Sequence, residues 1–241
     1  MSCDDMIKRS IAPSLICMDL CNLEQNVREL EAVGCDMLHI DLLDGYFSPS
    51  MPIGIDVIKQ LRKKTDLFFD CHLMTMDCTF FMEELVNVGV EQLCFQVETE
   101  RHISRKLSYL KEHGVKSGVA LSPSTSLAVL DYALEQCDFV LLMMINPGYA
   151  SNKDEKKIIS LLQKIKDLKA MIDFKGLSTT ITLDGRVYPQ DIEMYIDAGA
   201  STFVAGTSSL FHGKGSLKEN YMQLQELIAR GKAKASDGKK V

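Results

Sequence analysis

What most constrains the fold of this chain is an alternation that fills it from end to end. Eight short apolar runs of strand length are each followed by a segment with apolar residues at helical spacing. The strands are predicted at Ser10 to Ser14, from Met37, at Asp66 to Met74, Gln92 to Glu98, Val115 to Leu121, Phe139 to Ile145, Thr179 to Leu183 and Thr202 to Ala205. Helices are predicted over Leu20 to Val33, Pro52 to Lys64, Thr79 to Val88, Ile103 to His113, Thr125 to Glu135, Lys153 to Ile172, Tyr188 to Asp197 and Leu217 to Ala229. Glycines 34, 89 and 114 stand just past three of them, where a left-handed residue ends a helix. Strands separated by helices pair in parallel, and eight nearly equal units predict a single-domain α/β (β/α)8 barrel. A doubly wound open sheet is the runner-up. No GxGxxG turn follows the first strand, where Ala12-Pro13-Ser14 stands instead. The barrel is expected over residues 1–230, with the Lys-rich, polar stretch 231–241 fraying.

Composition excludes several classes of function. In 241 residues, 46% are hydrophobic, yet no apolar run reaches membrane-spanning length. The opening MSCDDMIKRS lacks the apolar segment of a secretory signal, so a cytoplasmic location is expected. Eight cysteines are scattered without a Cys-x-x-Cys pair and read as reduced core thiols. A net charge of −6, with no basic block before the last residues, argues against nucleic acid as a partner.

Chemistry is expected where a barrel places it, at the C-terminal ends of its strands. Side chains in a strand alternate between faces, so His39 and Asp41 share one face of the second strand, and Asp70, His72 and Met74 one face of the third. The last inward residues include Ser14, Gln96, Met143 and Asp184, and Asp184 supplies a fourth ligand to His39, Asp41 and His72. Singly, each would be read as a core histidine or a turn-starting aspartate. Four together at strand ends predict one divalent metal ion per chain: zinc, iron(II), manganese, cobalt or magnesium. Phosphate is the second expectation. Gly185 and Gly206-Thr207-Ser208 follow the last two strands, where barrels offer backbone N–H groups to an anion, and Arg186 adds a guanidinium.

Ala12-Pro13-Ser14-Leu15, His39-Ile40-Asp41-Leu42-Leu43-Asp44-Gly45, Asp70-Cys71-His72-Leu73-Met74, Asn146-Pro147-Gly148 and Asp184-Gly185 resemble the signature segments of the ribulose-phosphate 3-epimerases. The resemblance runs over nearly the whole chain. It implies a metal held by His39, Asp41, His72 and Asp184, with Asp41 and Asp184 as the two proton-transfer residues. Substrate contacts are implied for Ser14, His72 and the phosphate loops, including Gly148, and Met74 and Met143 would wall the site. Inverting a carbon beside a carbonyl takes one proton from one face and delivers one to the other, which two aspartates from separate strands can do. The implied partner is a phosphorylated ketose; a homo-oligomer is expected, without nucleic acid or membrane.

Ser14 to Leu20 and Gly206 to Phe211 look most like the branch acting on D-allulose 6-phosphate, so the pair D-allulose 6-phosphate/D-fructose 6-phosphate is the favoured substrate. The alternative is D-ribulose 5-phosphate/D-xylulose 5-phosphate. Four departures bear on this. Tyr149 to Lys153 replace a glycine-rich stretch, Arg186 a second glycine, Leu43 a methionine, and Gln96 a frequent histidine. A barrel decarboxylase or aldolase would need a lysine that Asp41-Leu42-Leu43 lacks. From another class, a non-catalytic phosphosugar-binding barrel is the rival that the altered loop suggests.

Overall fold

A computed structural model of the chain describes residues 10–148, 158 and 160–237. Eight strands form one sheet: β1 (Ile11–Pro13), β2 (Met37–Leu43), β3 (Phe68–Met74), β4 (Gln92–Gln96), β5 (Lys116–Leu121), β6 (Phe139–Met143), β7 (Thr180–Asp184) and β8 (Thr202–Ala205). Neighbours are parallel throughout, in the order β1-β8-β7-β6-β5-β4-β3-β2. A parallel bridge between Ser14 and His39 joins the two ends and closes the (β/α)8 barrel.

Seven α-helices surround it among the described residues: α1 (Leu23–Ala32), α2 (Ile55–Arg62), α3 (Thr79–Val88), α4 (Ile103–Glu112), α5 (Leu161–Phe174), α6 (Ile192–Asp197) and α7 (Leu217–Asp237). Alternation along the strands divides the interior in two. Outward residues such as Leu38, Ile40, Phe69, Leu93, Val140 and Leu142 pack under the helices. Inside the barrel, Cys94, Ala120, Phe139, Leu141 and Met143 form a small plug. That plug needs Gly118, because a Cβ there would stand 2.5 Å from the Phe139 ring. The buried Cys71 and Cys94 thiols are pushed up by burial, as expected of inert core thiols.

The elements differ from the periodicity reading in three places. Thr125 to Glu135 is not an α-helix but two 3₁₀ turns, Leu127–Leu130 and Leu134–Gln136. Leu127, Leu130 and Ala133 recur every third residue, which suits a three-residue turn, and the Ser126 hydroxyl caps the first one by accepting from the Ala128 N–H at 3.2 Å. The helix predicted from Tyr188 begins as a 3₁₀ turn at Pro189–Asp191, and that from Leu20 as one at Leu20–Asn22. Of the stretch 231–241 expected to fray, residues 231–237 are described. α7 continues to Asp237, with Gly231 against Ile196, Lys232 donating to the Ser10 hydroxyl at 2.6 Å and Lys234 paired with Glu193. The first residues of the helix predicted from Lys153, and the loop Tyr149 to Lys153, lie outside the described residues. None of the described helices is long and apolar enough to cross a membrane.

Candidate metal and substrate site

Strand register brings the ligands together. In the β2–β3 pair, His39 stands opposite Asp70 and Asp41 opposite His72; in the β6–β7 pair, Met143 stands opposite Asp184. Side chains at paired positions of parallel strands point the same way, so these groups share the barrel interior. The closing bridge carries Ser14 to the same level, where its hydroxyl donates to Asp41 Oδ2 at 3.1 Å.

One ligand atom each from His39, Asp41, His72 and Asp184 lies within 4.8 Å of all the others. His39 Nε2 is 3.2 Å and His72 Nδ1 3.3 Å from Asp41 Oδ1, and the same nitrogens are 4.0 and 3.8 Å from Asp184 Oδ2. Both rings are fully buried. Behind His39, its Nδ1 meets Asp70 Oδ2 at 2.7 Å, and Gln92 donates to Asp70 Oδ1 at 2.7 Å. His39 is thereby turned so that Nε2 faces the cluster, the arrangement in which a carboxylate behind a histidine fixes its ring for a metal.

The donor set fits a divalent cation of borderline hardness. Two buried carboxylates beside two imidazoles repel each other unless positive charge lies between them, and His72 Nδ1 is buried without a hydrogen-bond partner. Electrostatics in the bare protein show the same demand. Burial pushes Asp184 up to about 6, with the Asp41 charge adding to the rise. Asp41 suffers burial too, but His39 and His72 outweigh it and hold its carboxyl well below the usual range. For His39, burial is overcome by the Asp41 and Asp70 carboxylates, and the imidazole is pushed well above its ordinary value.

Above the cluster opens a cavity of about 300 Å³. Ser14, Asp41, Met74, Met143, Gly148, Asp184, Gly185, Arg186, Gly206, Thr207 and Ser208 all line it, so every expected site residue reaches the cavity except the two histidines. His39 and His72 lie beneath its floor. The fully buried His72 ring is not among the residues lining the cavity and turns its Nδ1 toward Asp41 and Asp184. Ile16, Cys17, Met18, Ile145, Val187 and Val204 complete the wall and were not anticipated, although Ile16 to Met18 follow Ser14 directly. Asp70 was placed on the right face but given no role; only the pairing with His39 reveals it.

At the far end of the cavity the backbone is shaped for close approach. Gly185 has φ +92° and a Cβ there would meet Ile145 Cγ1 at 2.5 Å. Arg186 follows with φ +51°, the sole non-glycine in the left-handed region among the described residues. A second glycine is what such a backbone prefers, and arginine there costs about 1–2 kcal/mol.

Residues 10–211 match the profile described as "Ribulose-phosphate 3 epimerase family". The chain belongs to the ribulose-phosphate 3-epimerase family. It is 35% identical to ribulose-phosphate 3-epimerase of Bacillus subtilis (strain 168), over 91% of this chain and 99% of that one. It is also 35% identical to chloroplastic ribulose-5-phosphate-3-epimerase of Arabidopsis thaliana, over 85% of this chain and 72% of that protein. By lineage it is an isomerase, a carbohydrate-phosphate 3-epimerase. Among solved structures it is similar to 3-hexulose-6-phosphate synthase of Salmonella typhimurium, with a TM-score of 0.68, 16% identity and 92% and 99% of the two chains covered. At that identity the likeness concerns the barrel alone.

Proposed function

We propose that this family member interconverts D-ribulose 5-phosphate and D-xylulose 5-phosphate, with Asp41 and Asp184 as the two proton-transfer residues. The observation that carries the reading is the convergence of four ligand atoms, two of them carboxylate oxygens, on the floor of a cavity whose far rim is Gly185-Arg186 and Gly206-Thr207-Ser208. His39, Asp41, His72 and Asp184 would hold one divalent ion, which supplies positive charge where negative charge develops on the substrate. One carboxylate removes the proton from C3 and the other returns one to the opposite face. Ser14 holds Asp41 in orientation through its hydroxyl. Met74 and Met143 exclude water from the proton-depleted sugar. Backbone N–H groups of the two rim loops and the Arg186 guanidinium receive the phosphate. Exposed Tyr46, Phe80, Tyr132 and Phe174 offer apolar surface for the expected homo-oligomer.

The curated relatives carry the ribulose-phosphate name, which favours the five-carbon pair over the six-carbon pair suggested by Ser14 to Leu20 and Gly206 to Phe211. One observation supports a six-carbon reading: arginine replaces glycine at a left-handed position on the phosphate rim, at a backbone cost that implies a use for its side chain. Measuring kcat/KM for both sugar pairs on one metal-loaded preparation decides between them. Higher kcat/KM on the five-carbon pair is expected; a preference for D-allulose 6-phosphate would replace the substrate assignment, and no turnover of either would favour a binding protein.

A further inference from the structure

A neutral imidazole has one N–H, so a histidine that offers one ring nitrogen to a metal keeps its proton on the other. His72 turns Nδ1 toward Asp41 and Asp184, and Nε2 toward the Gln96 side-chain amide at 3.1 Å. If the amide oxygen faces the ring, Nε2 carries the proton and Nδ1 is a free lone pair aimed at the cluster. If the amide nitrogen faces it, Nδ1 carries the proton and points an N–H at the carboxylates, which no metal can use.

The other end of the amide decides the matter. It faces the Ala120 carbonyl oxygen at 3.2 Å and Glu98 Oε2 at 2.7 Å, which are both acceptors. Donor must meet acceptor, so the Gln96 NH2 lies on that side and its oxygen accepts from His72 Nε2–H. Glu98 is held in turn, because its Oε1 accepts from the Ser122 backbone N–H at 2.7 Å and from the Thr125 hydroxyl. Gln96 itself is fully buried.

We propose that Glu98 and Gln96 form a relay that locks His72 as the Nε2–H tautomer, making Gln96 a positioning residue for the metal site. Its consequence for metal rests on the reading of His72 as a ligand, while the tautomer itself does not. The two histidines thus use opposite nitrogens, His39 backed by a carboxylate and His72 by an amide whose direction is set by Ala120 and Glu98. An amide cannot choose its own direction; the Ala120 carbonyl and the carboxylate two residues further on choose it together.

The test uses long-range proton–nitrogen NMR of the metal-free protein, together with zinc titration against a chelator. Wild type should show His72 with its proton on Nε2. Glu98→Gln keeps size and can keep its oxygen for Ser122 and Thr125, so its new NH2 turns to Gln96 and opposes the pull of the Ala120 carbonyl, and a measurable part of His72 should move to the Nδ1–H form. Zinc affinity should fall about tenfold in Glu98→Gln and about 10–100-fold in Gln96→Leu, the usual cost of losing a group that orients a ligand. A merely structural loss would lower thermal stability without moving the proton. An Nδ1–H tautomer in wild type, an unmoved tautomer in Glu98→Gln, or wild-type zinc affinity in Gln96→Leu would each overturn the proposal. Should wild type show the Nε2–H form yet bind no zinc, the relay stands and the metal reading falls.

Discussion

His39, Asp41 and His72 stand within β2 and β3, where all seven residues of β2 are buried and each ligand is held by a neighbouring strand. Gly185, Arg186, Gly206, Thr207 and Ser208 stand just past the ends of β7 and β8, the first of these turns shaped by left-handed residues at 185 and 186. The first region is fixed by ladder register and by partners such as Asp70, Gln92 and Gln96 behind the rings. The second depends on local backbone shape, which a single residue can alter. Side chains fixed on paired strands tolerate little variation, whereas a rim built on turns can change while the fold stays the same.

The contrast breaks most sharply at the carboxylates. Asp41→Asn and Asp184→Asn should each lower epimerisation by about 10²–10⁴-fold, the contribution of a positioned acid or base. Folding should persist, because asparagine keeps the shape. Following solvent deuterium into C3 of the substrate is the check, and wild-type exchange in both variants would remove their assigned roles. Next in size is the support behind the ligands. Asp70→Asn should weaken metal binding by about 10–100-fold, measured by chelator competition, although Asp70 is not among the four converging residues.

Smaller effects should separate the rim from the floor. Gly185→Ala places a Cβ against Ile145 at a left-handed position, so a loss of about 1–3 kcal/mol in stability is expected, with a raised KM. The reverse change, Arg186→Gly, should stabilise the fold by about 1 kcal/mol through its φ of +51° while raising KM for the phosphosugar. Denaturant unfolding together with steady-state kinetics checks both. An Arg186→Gly protein with unchanged KM would show that the guanidinium plays no part in holding phosphate.

The floor also has a pH signature. In metal-free protein the folded Asp184, pushed up to about 6, holds its proton more tightly than it does unfolded. Stability from this group is therefore present below the unfolded carboxylate range and is lost as pH rises through about 6. His39, raised above its ordinary value, has the same sign at higher pH. Thermal midpoints of the metal-free protein should thus fall between about pH 4 and pH 8, by less in a Asp184→Asn variant, and metal should restore them most at the alkaline end. A flat profile in the bare wild type would contradict the crowded, uncompensated cluster.

Eight strands, their order of use and the four residues that converge were legible in the sequence, because a two-residue alternation and a helical period are local properties of the chain. So were the rim residues, which follow directly from where the strands stop. Helix type was less legible: Leu127, Leu130 and Leu134 fit a helical stripe while Leu127, Leu130 and Ala133 fit a three-residue turn, and anchoring of the adjoining Ser122 and Thr125 to Glu98 and of Lys164 to Ser122 belongs to tertiary structure. Register decided the rest. That Asp70 lies opposite His39, that Gln96 backs His72 and that both rings sink below the cavity floor depend on how neighbouring strands slide past one another. A strand's own sequence sets which face each side chain takes, but only pairing between strands sets which side chains meet.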